Sequence, residues 1–252
     1  FSDPEDAKKL ISSYNHSDSK IQKKHDEFIE NSLANYYFPI GVAPNFVINN
    51  KTYTLPMAIE ESSVVAAACK AAKFWATRGG FKTTILGQEK IGQVHFLFNG
   101  SFEKLNPLFQ EKKVELINGL ENLTQNMQKR GGGILDIELI DKTDLIDHYF
   151  QLHLTFDTVA SMGTNFINSC LEEIASTFKN VVENHTVCTT EERVVEIVMS
   201  ILSNYVPNCL VKAEVRCPIE KLGEQEGMTA QYFVQKFIKA VEIAKKEPYR
   251  AV

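Results

Sequence analysis

The sequence has no CxxC pair, no membrane-length apolar run, no excess of basic charge and none of the common nucleotide or protease signatures. Each absence removes a class of function. The five cysteines (Cys69, Cys170, Cys188, Cys209 and Cys217) are odd in number and far apart, which excludes a zinc ribbon or a thioredoxin-like dithiol on spacing. They read as free, mostly buried thiols in a reducing compartment. No apolar run reaches the roughly 18 residues of a membrane span, and no signal-peptide pattern opens the chain. A cytoplasmic protein without a membrane partner is expected, in which the sequons at Asn15, Asn99, Asn122 and Asn184 carry no weight. With 27 basic against 32 acidic residues, no basic stripe supplies the phosphate-neutralising attraction that nucleic acid requires, so no nucleic-acid partner is expected. GxGxxG, GxxxxGK[ST], HExxH and GxSxG do not occur. The histidines show no ligand-like spacing, and no metal is expected.

What is present is a chain of 252 residues, 44% of them hydrophobic, enough for a sizeable core in one large domain or two ordinary ones. Residues 3–35 are polar, with apolar positions spaced for one or two amphipathic helices. Residues 37–57 read as extended chain with a hairpin turn at Asn49-Asn50. A strong helix runs from Glu60 to Arg78, rich in alanine and stopped by Gly79-Gly80. The middle third reads as a strand from Gln93 to Phe98, helix from Phe102 to Lys129, and strands from Ile134 to Ile140 and His148 to Phe156. A helix from Met162 to Phe178 and a strand from Val194 to Leu202 follow. That order, β-α-β-β-α-β, is ferredoxin-like. A strand from Cys209 to Cys217 and a helix from Thr229 to Lys246 come last, the helix with one apolar stripe from Phe233 to Ala244. The fold class is α+β, with at least two compact units.

Three stretches could carry chemistry. Glu60-Glu61-Ser62-Ser63 heads the alanine-rich helix, where acids and serines suit a first turn as caps. Alternatively one glutamate faces a cleft as a proton donor, which requires burial to oppose the helix dipole. Asp157 to Asn165 places a glycine and small polar residues before a helix, either as an anion cradle or as a simple strand terminator. Tyr249-Arg250 offers a guanidinium fork for a carboxylate or phosphate, or a solvated arginine.

Pro39-Ile-Gly-Val-Ala-Pro-Asn-Phe46, Leu55-Pro-Met-Ala-Ile-Glu-Glu-Ser-Ser-Val-Val-Ala-Ala-Ala68, Gly79-Gly-Phe81, Ser161-Met-Gly-Thr-Asn165 and Glu247-Pro-Tyr-Arg-Ala251 occur in that order. The set resembles hydroxymethylglutaryl-coenzyme A reductases, best the soluble class II type, over nearly the whole chain. The resemblance implies a large mixed substrate domain (residues 1–88 and 204–252, the second part incomplete) interrupted by a ferredoxin-like dinucleotide-binding domain (residues 89–203). It implies NAD(P)-dependent interconversion of hydroxymethylglutaryl-CoA and mevalonate plus CoA by two hydride transfers. NADH or NADPH would be the cofactor, with no metal, and self-association would place the active site at a subunit interface. Glu61 matches the family's catalytic glutamate, and Ser63 and Arg250 match residues that hold the substrate carboxylate. Met162, Gly163, Thr164 and Asn165 match the dinucleotide signature, and Asn204 matches an asparagine near the reacting end of the cofactor.

The sequence departs from the family pattern at several points. The family's catalytic lysine is expected just past Arg250, with an aspartate and a mobile-tail histidine further on. The chain stops at Val252, so it reads as truncated before that lysine and inactive as it stands. Ala160 stands where an aspartate leads the dinucleotide signature, which puts normal cofactor affinity in question, and Ser62 replaces a usual proline. The alternative is a catalytically degenerate relative that serves as a binding or assembly module.

Overall fold

The structure, a computed structural model, describes residues 3–186, 188–225, 227–247 and 249. The chain forms two compact units, one of Phe1–Thr83 with Ala213–Val252 and the other of Thr84–Lys212.

The first unit begins with α1 (Pro4–Ser12) and α2 (Ser19–Asp26), each capped by an aspartate that accepts from the first-turn backbone, Asp3 and Asp18. The strands β1 (Ile40–Ile48) and β2 (Lys51–Ala58) pair antiparallel. Asn49 and Asn50 join them with positive φ at both residues (47° and 65°), the backbone that a two-residue hairpin with right-handed strand twist requires. Pro44 cannot donate to a ladder, and the pairing slips between Ala43 and Phe46, as expected of a bulge.

The helix α3 (Ser62–Ala76) lies on β1. Its alanines allow that close approach, and the Cys69 thiol reaches the Val42 carbonyl at 3.7 Å. Gly80 then turns the chain back with φ 69°, where a Cβ would sit 2.4 Å from the Val47 carbonyl oxygen. Only glycine fits there.

The second unit opens with β3 (Lys82–Phe98), which starts eleven residues before the strand expected from alternation. It continues through α4 (Phe102–Asn118), α5 (Glu121–Gln128), β4 (Gly133–Asp141), β5 (Tyr149–Asp157), α6 (Thr164–Asn184), β6 (Val195–Leu202) and β7 (Cys209–Glu214). Along the sheet the order is β4-β5-β3-β6, with β7 also paired to β3. The pairs β4–β5, β5–β3 and β3–β6 are antiparallel. That is the ferredoxin-like arrangement expected for the middle third, and the α+β class holds.

Burial explains why the unit is compact. In β3, Val94, Phe96 and Phe98 are fully buried on one face, and Phe150, Leu152, Leu154 and Phe156 of β5 share that face. Phe178 of α6 packs edge-on against Phe96, with ring centroids 5.4 Å apart, and meets Phe109 of α4 at 6.3 Å. The stripe of α6 runs on past Phe178 to Val182, also fully buried, so this helix is longer than its sequence suggested.

After β7 the chain returns to the first unit through a 3-10 turn (Ile219–Lys221) and α7 (Ala230–Lys246). Arg78, at the end of α3, donates to the carbonyls of Phe74 (2.7 Å) and Leu222 (2.9 Å), which ties this turn to the helix. Ala72 is the one buried residue of α3, and α7 has none. Phe237 and Ile238 are more than half exposed. Between α3 and α7 lies an apolar groove of about 670 Å³, lined by Ala67, Ala71, Phe74, Trp75, Phe233 and Phe237. Among the described residues no helix is long and apolar enough to cross a membrane, and no group of three or more His, Cys, Asp or Glu side chains is placed to hold a metal ion.

Candidate active site

The residues singled out from sequence fall into two groups. In the first unit, Glu61 occupies the N-cap position of α3 with extended backbone (φ −115°, ψ 119°), yet its side chain accepts no capping hydrogen bond. The Ser63 hydroxyl donates to the Glu61 carboxylate instead. Capping therefore does not account for this glutamate. Both residues are exposed, so the burial that a proton-donating glutamate requires is not supplied by the residues around it in the single chain. Ser62 is the first residue of the helix, a position where proline would also fit because its N–H has no helical partner. Arg250 lies outside the described residues.

In the second unit, the turn from β5 into α6 is held from several sides. The Asp157 carboxylate accepts from the Val159 N–H (2.7 Å), and Val159 adopts φ 55°, uncommon for a β-branched residue. Thr158 and Ser161 exchange hydrogen bonds, each hydroxyl donating to the other's carbonyl at 2.7 and 2.8 Å. From β3, the Lys90 ammonium donates to the carbonyls of Ser161 (2.7 Å) and Met162 (3.0 Å). Gly163 then adopts φ 80° as the N-cap of α6 and offers no side chain to the helix end. The first-turn N–H groups of this 21-residue helix are left uncapped by a side chain, and they point outward at the positive end of the helix dipole. That chemistry suits a phosphate or pyrophosphate.

Asn204 comes to the same end of the sheet. The Ser203 N–H donates to the Ile91 carbonyl (2.8 Å), one residue from Lys90, and the Leu202 N–H donates to the Asn168 side chain of α6 (3.1 Å). Asn204 itself is exposed. The structure thus gathers Met162, Gly163, Thr164, Asn165 and Asn204 within one region of the second unit. The glycine break before β4 closes on the same turn, since a Cβ on Gly132 would meet the Asp157 carbonyl oxygen at 2.4 Å.

The hydroxymethylglutaryl-coenzyme A reductase family model matches residues 4–252. The chain belongs to that family. It is 30% identical over 228 residues to the 3-hydroxy-3-methylglutaryl-coenzyme A reductase of Archaeoglobus fulgidus, covering 89% of this chain and 48% of that protein. A probable reductase of Borreliella burgdorferi is 33% identical over 155 residues, 60% of this chain and 35% of that one. The chain therefore spans half or less of the length of these curated relatives. Among solved structures, the class II reductase of Streptococcus pneumoniae bound to NADPH superposes with a TM-score of 0.74 at 25% identity, over 99% of this chain and 67% of that one. A second structure of the S. pneumoniae reductase gives 0.73 at 26%, with the same coverage. The class II resemblance read from sequence holds.

Within this reductase-family chain, Lys90 is the feature that sequence reading missed. Nothing local marks a strand lysine as the anchor of a turn seventy residues away. Its two hydrogen bonds also bear on Ala160, which is exposed. The turn is shaped by Asp157, Thr158, Ser161 and Lys90, so its conformation does not depend on the side chain at position 160. Removing the ammonium by Lys90→Met is expected to cost about 1.5–3 kcal/mol locally. Amide exchange of residues 161–164 would then quicken by about ten- to hundredfold. Unchanged exchange there refutes the anchoring role.

Proposed function

We propose that this chain carries the substrate and dinucleotide sites of an NAD(P)-dependent hydroxymethylglutaryl-CoA reductase, interconverting hydroxymethylglutaryl-CoA with mevalonate and CoA. The observation that carries the reading is the turn from Met162 to Asn165. Its left-handed Gly163, uncapped helix end and Lys90 anchor form a cradle suited to a pyrophosphate, with Asn204 at the same end of the sheet. The NADPH bound in the S. pneumoniae relative supports a nicotinamide dinucleotide as the ligand. When bound, NADH or NADPH supplies hydride to the thioester carbon.

The α6 end and its turn bind and orient the anionic part of the cofactor. Glu61 holds the proton exchanged with the substrate oxygen, general acid–base work. Ser63, hydrogen-bonded to Glu61, and Arg250 hold the free carboxylate of the substrate. In this reading the first unit binds substrate and the second binds the dinucleotide. Glu61 acts in a site closed by a second copy, since water exclusion strengthens the electrostatics of such a carboxylate. The unfilled apolar surface of α3 and α7 supports self-association as a homodimer or larger assembly. Residence in the cytoplasm is part of the same reading.

The test combines binding and turnover. In the complete protein, oxidation of NADH or NADPH should occur only when hydroxymethylglutaryl-CoA is added, and light scattering should report a dimer or more. If calorimetry finds affinity for neither the thioester nor a dinucleotide, the reading fails. Arg250→Ala should weaken binding of the free acid roughly ten- to hundredfold, the effect of losing a charge-assisted pair. An amide analogue without that charge should be little affected. Equal losses for both ligands would make Arg250 structural.

A further inference from the structure

The Ser63 hydroxyl has one proton to donate, and two acceptors have a claim on it. In the structure it donates to the Glu61 carboxylate. In the function proposed above it holds the free carboxylate of the substrate. We infer that Ser63 is a two-position switch: it keeps Glu61 at rest while the site is empty, and the arriving substrate carboxylate draws the hydroxyl away and releases Glu61 for proton transfer. The inference rests on the reductase reading and deepens it, because the substrate's free carboxylate then acts on kcat as well as on binding.

The first argument is a count of donors. A serine hydroxyl donates one hydrogen bond, and an ionised carboxylate only accepts, so Glu61 and a substrate carboxylate cannot both receive it. The bond to Glu61 is also the one that holds this side chain. An acidic N-cap residue ordinarily accepts from the first-turn backbone, as Asp3 and Asp18 do at α1 and α2, and Glu61 does not. No cation takes the place of that cap. The strand β1, on which α3 lies, has no lysine or arginine, Lys51 stands at the far end of β2 from Ala58, and α3 has neither before Lys70. Among the described residues the Ser63 hydroxyl is the one hydrogen-bond partner of the Glu61 carboxylate.

The second argument is what an incoming charge does to this pair. Proton transfer requires the carboxylate itself within hydrogen-bond reach of the substrate oxygen, so a glutamate bonded to the second residue of its own helix has to leave that position to act. A substrate carboxylate at Ser63 replaces one charge-assisted bond by another, which makes the exchange nearly even for the hydroxyl. It also brings a second negative charge beside Glu61, and the repulsion drives Glu61 out. An uncharged amide in the same place accepts more weakly and repels nothing, so Ser63 stays on Glu61.

The test compares kcat for hydroxymethylglutaryl-CoA and for its amide analogue, in the complete protein and in its Ser63→Ala and Ser63→Thr variants. The wild type should turn over the amide with a kcat roughly ten- to hundredfold lower, the worth of a hydrogen bond to a charged group. Ser63→Ala should bring the two kcat values to within a few-fold of each other while raising KM for the free acid, and Ser63→Thr, which keeps a hydroxyl, should restore the difference. A merely structural role would change kcat for both substrates alike and leave their ratio standing. Far-ultraviolet circular dichroism shows whether each variant is folded. Equal kcat for acid and amide in the wild type, or an undiminished ratio in Ser63→Ala, overturns the switch and leaves the reductase reading in place. Failure of the complete protein to turn over the free acid overturns both.

Discussion

In the complete protein, Glu61→Gln is expected to lower turnover of hydroxymethylglutaryl-CoA by about 10²–10⁴-fold, the usual worth of general acid–base assistance. The substitution keeps the size of the side chain, and its amide oxygen can still accept from the Ser63 hydroxyl that binds the carboxylate now. What disappears is a group able to hold and release a proton at the substrate oxygen. The loss should therefore fall on kcat, with thioester affinity nearly unchanged, because binding the substrate does not use that proton. Turnover within a few-fold of wild type would remove Glu61 from the chemistry. A rise in KM alone would recast it as a binding residue.

Gly163→Ala is expected to destabilise the second unit by roughly 2–5 kcal/mol, adding the penalty for left-handed backbone to that of overpacking. The backbone at Gly163 holds φ 80°, and a Cβ there would lie 2.4 Å from Thr158 Cγ2 and 2.8 Å from its Cβ. Thr158 is 1% exposed and bonded to Ser161, so it has nowhere to retreat. Gly131 supplies the control. Its φ is 91°, yet a Cβ there meets nothing within 4 Å, so Gly131→Ala should cost only the backbone share of about 1–2 kcal/mol. Urea unfolding of the two variants separates steric crowding from backbone strain. Equal costs would mean that the contact with Thr158 is not what demands glycine, and dinucleotide affinity should fall only in Gly163→Ala.

The second unit was the more legible in sequence. Its strands alternate, so Val94, Phe96 and Phe98 announce a buried face, and the apolar stripe of α6 announces the helix that covers it. Where alternation fails, so does the reading. Residues 82–92 extend β3, but Ile85 and Leu86 are adjacent and both exposed, and Gly87 and Gly92 break the pattern further. Helix α6 continues beyond the expected end at Phe178 to Asn184, where Val182 prolongs the buried stripe. Among the site residues, the Met162–Asn165 turn was visible as a glycine before a helix. Lys90 was not, because it bonds a turn that only the folded sheet brings near. The resemblance to the reductase family located Glu61 and Ser63. Their mutual hydrogen bond, and the absence of capping by Glu61, required coordinates.

The unit Thr84–Lys212 is one uninterrupted stretch set between the two halves of the other, and β3 and β7 pair with each other. At that pairing the backbones are so close that a Cβ on Gly87 would lie 2.2 Å from the Asn208 carbonyl oxygen. The inserted stretch thus leaves beside the place where it entered. On the ribosome it is complete before the last part of the outer unit has been made, and its own core gives it reason to fold first. Once folded, its neighbouring ends act as a short loop. The outer unit is then spared most of the closure entropy that a long disordered excursion would impose. The order of synthesis and the topology favour the same sequence of events, with the inserted unit folding before the unit that encloses it.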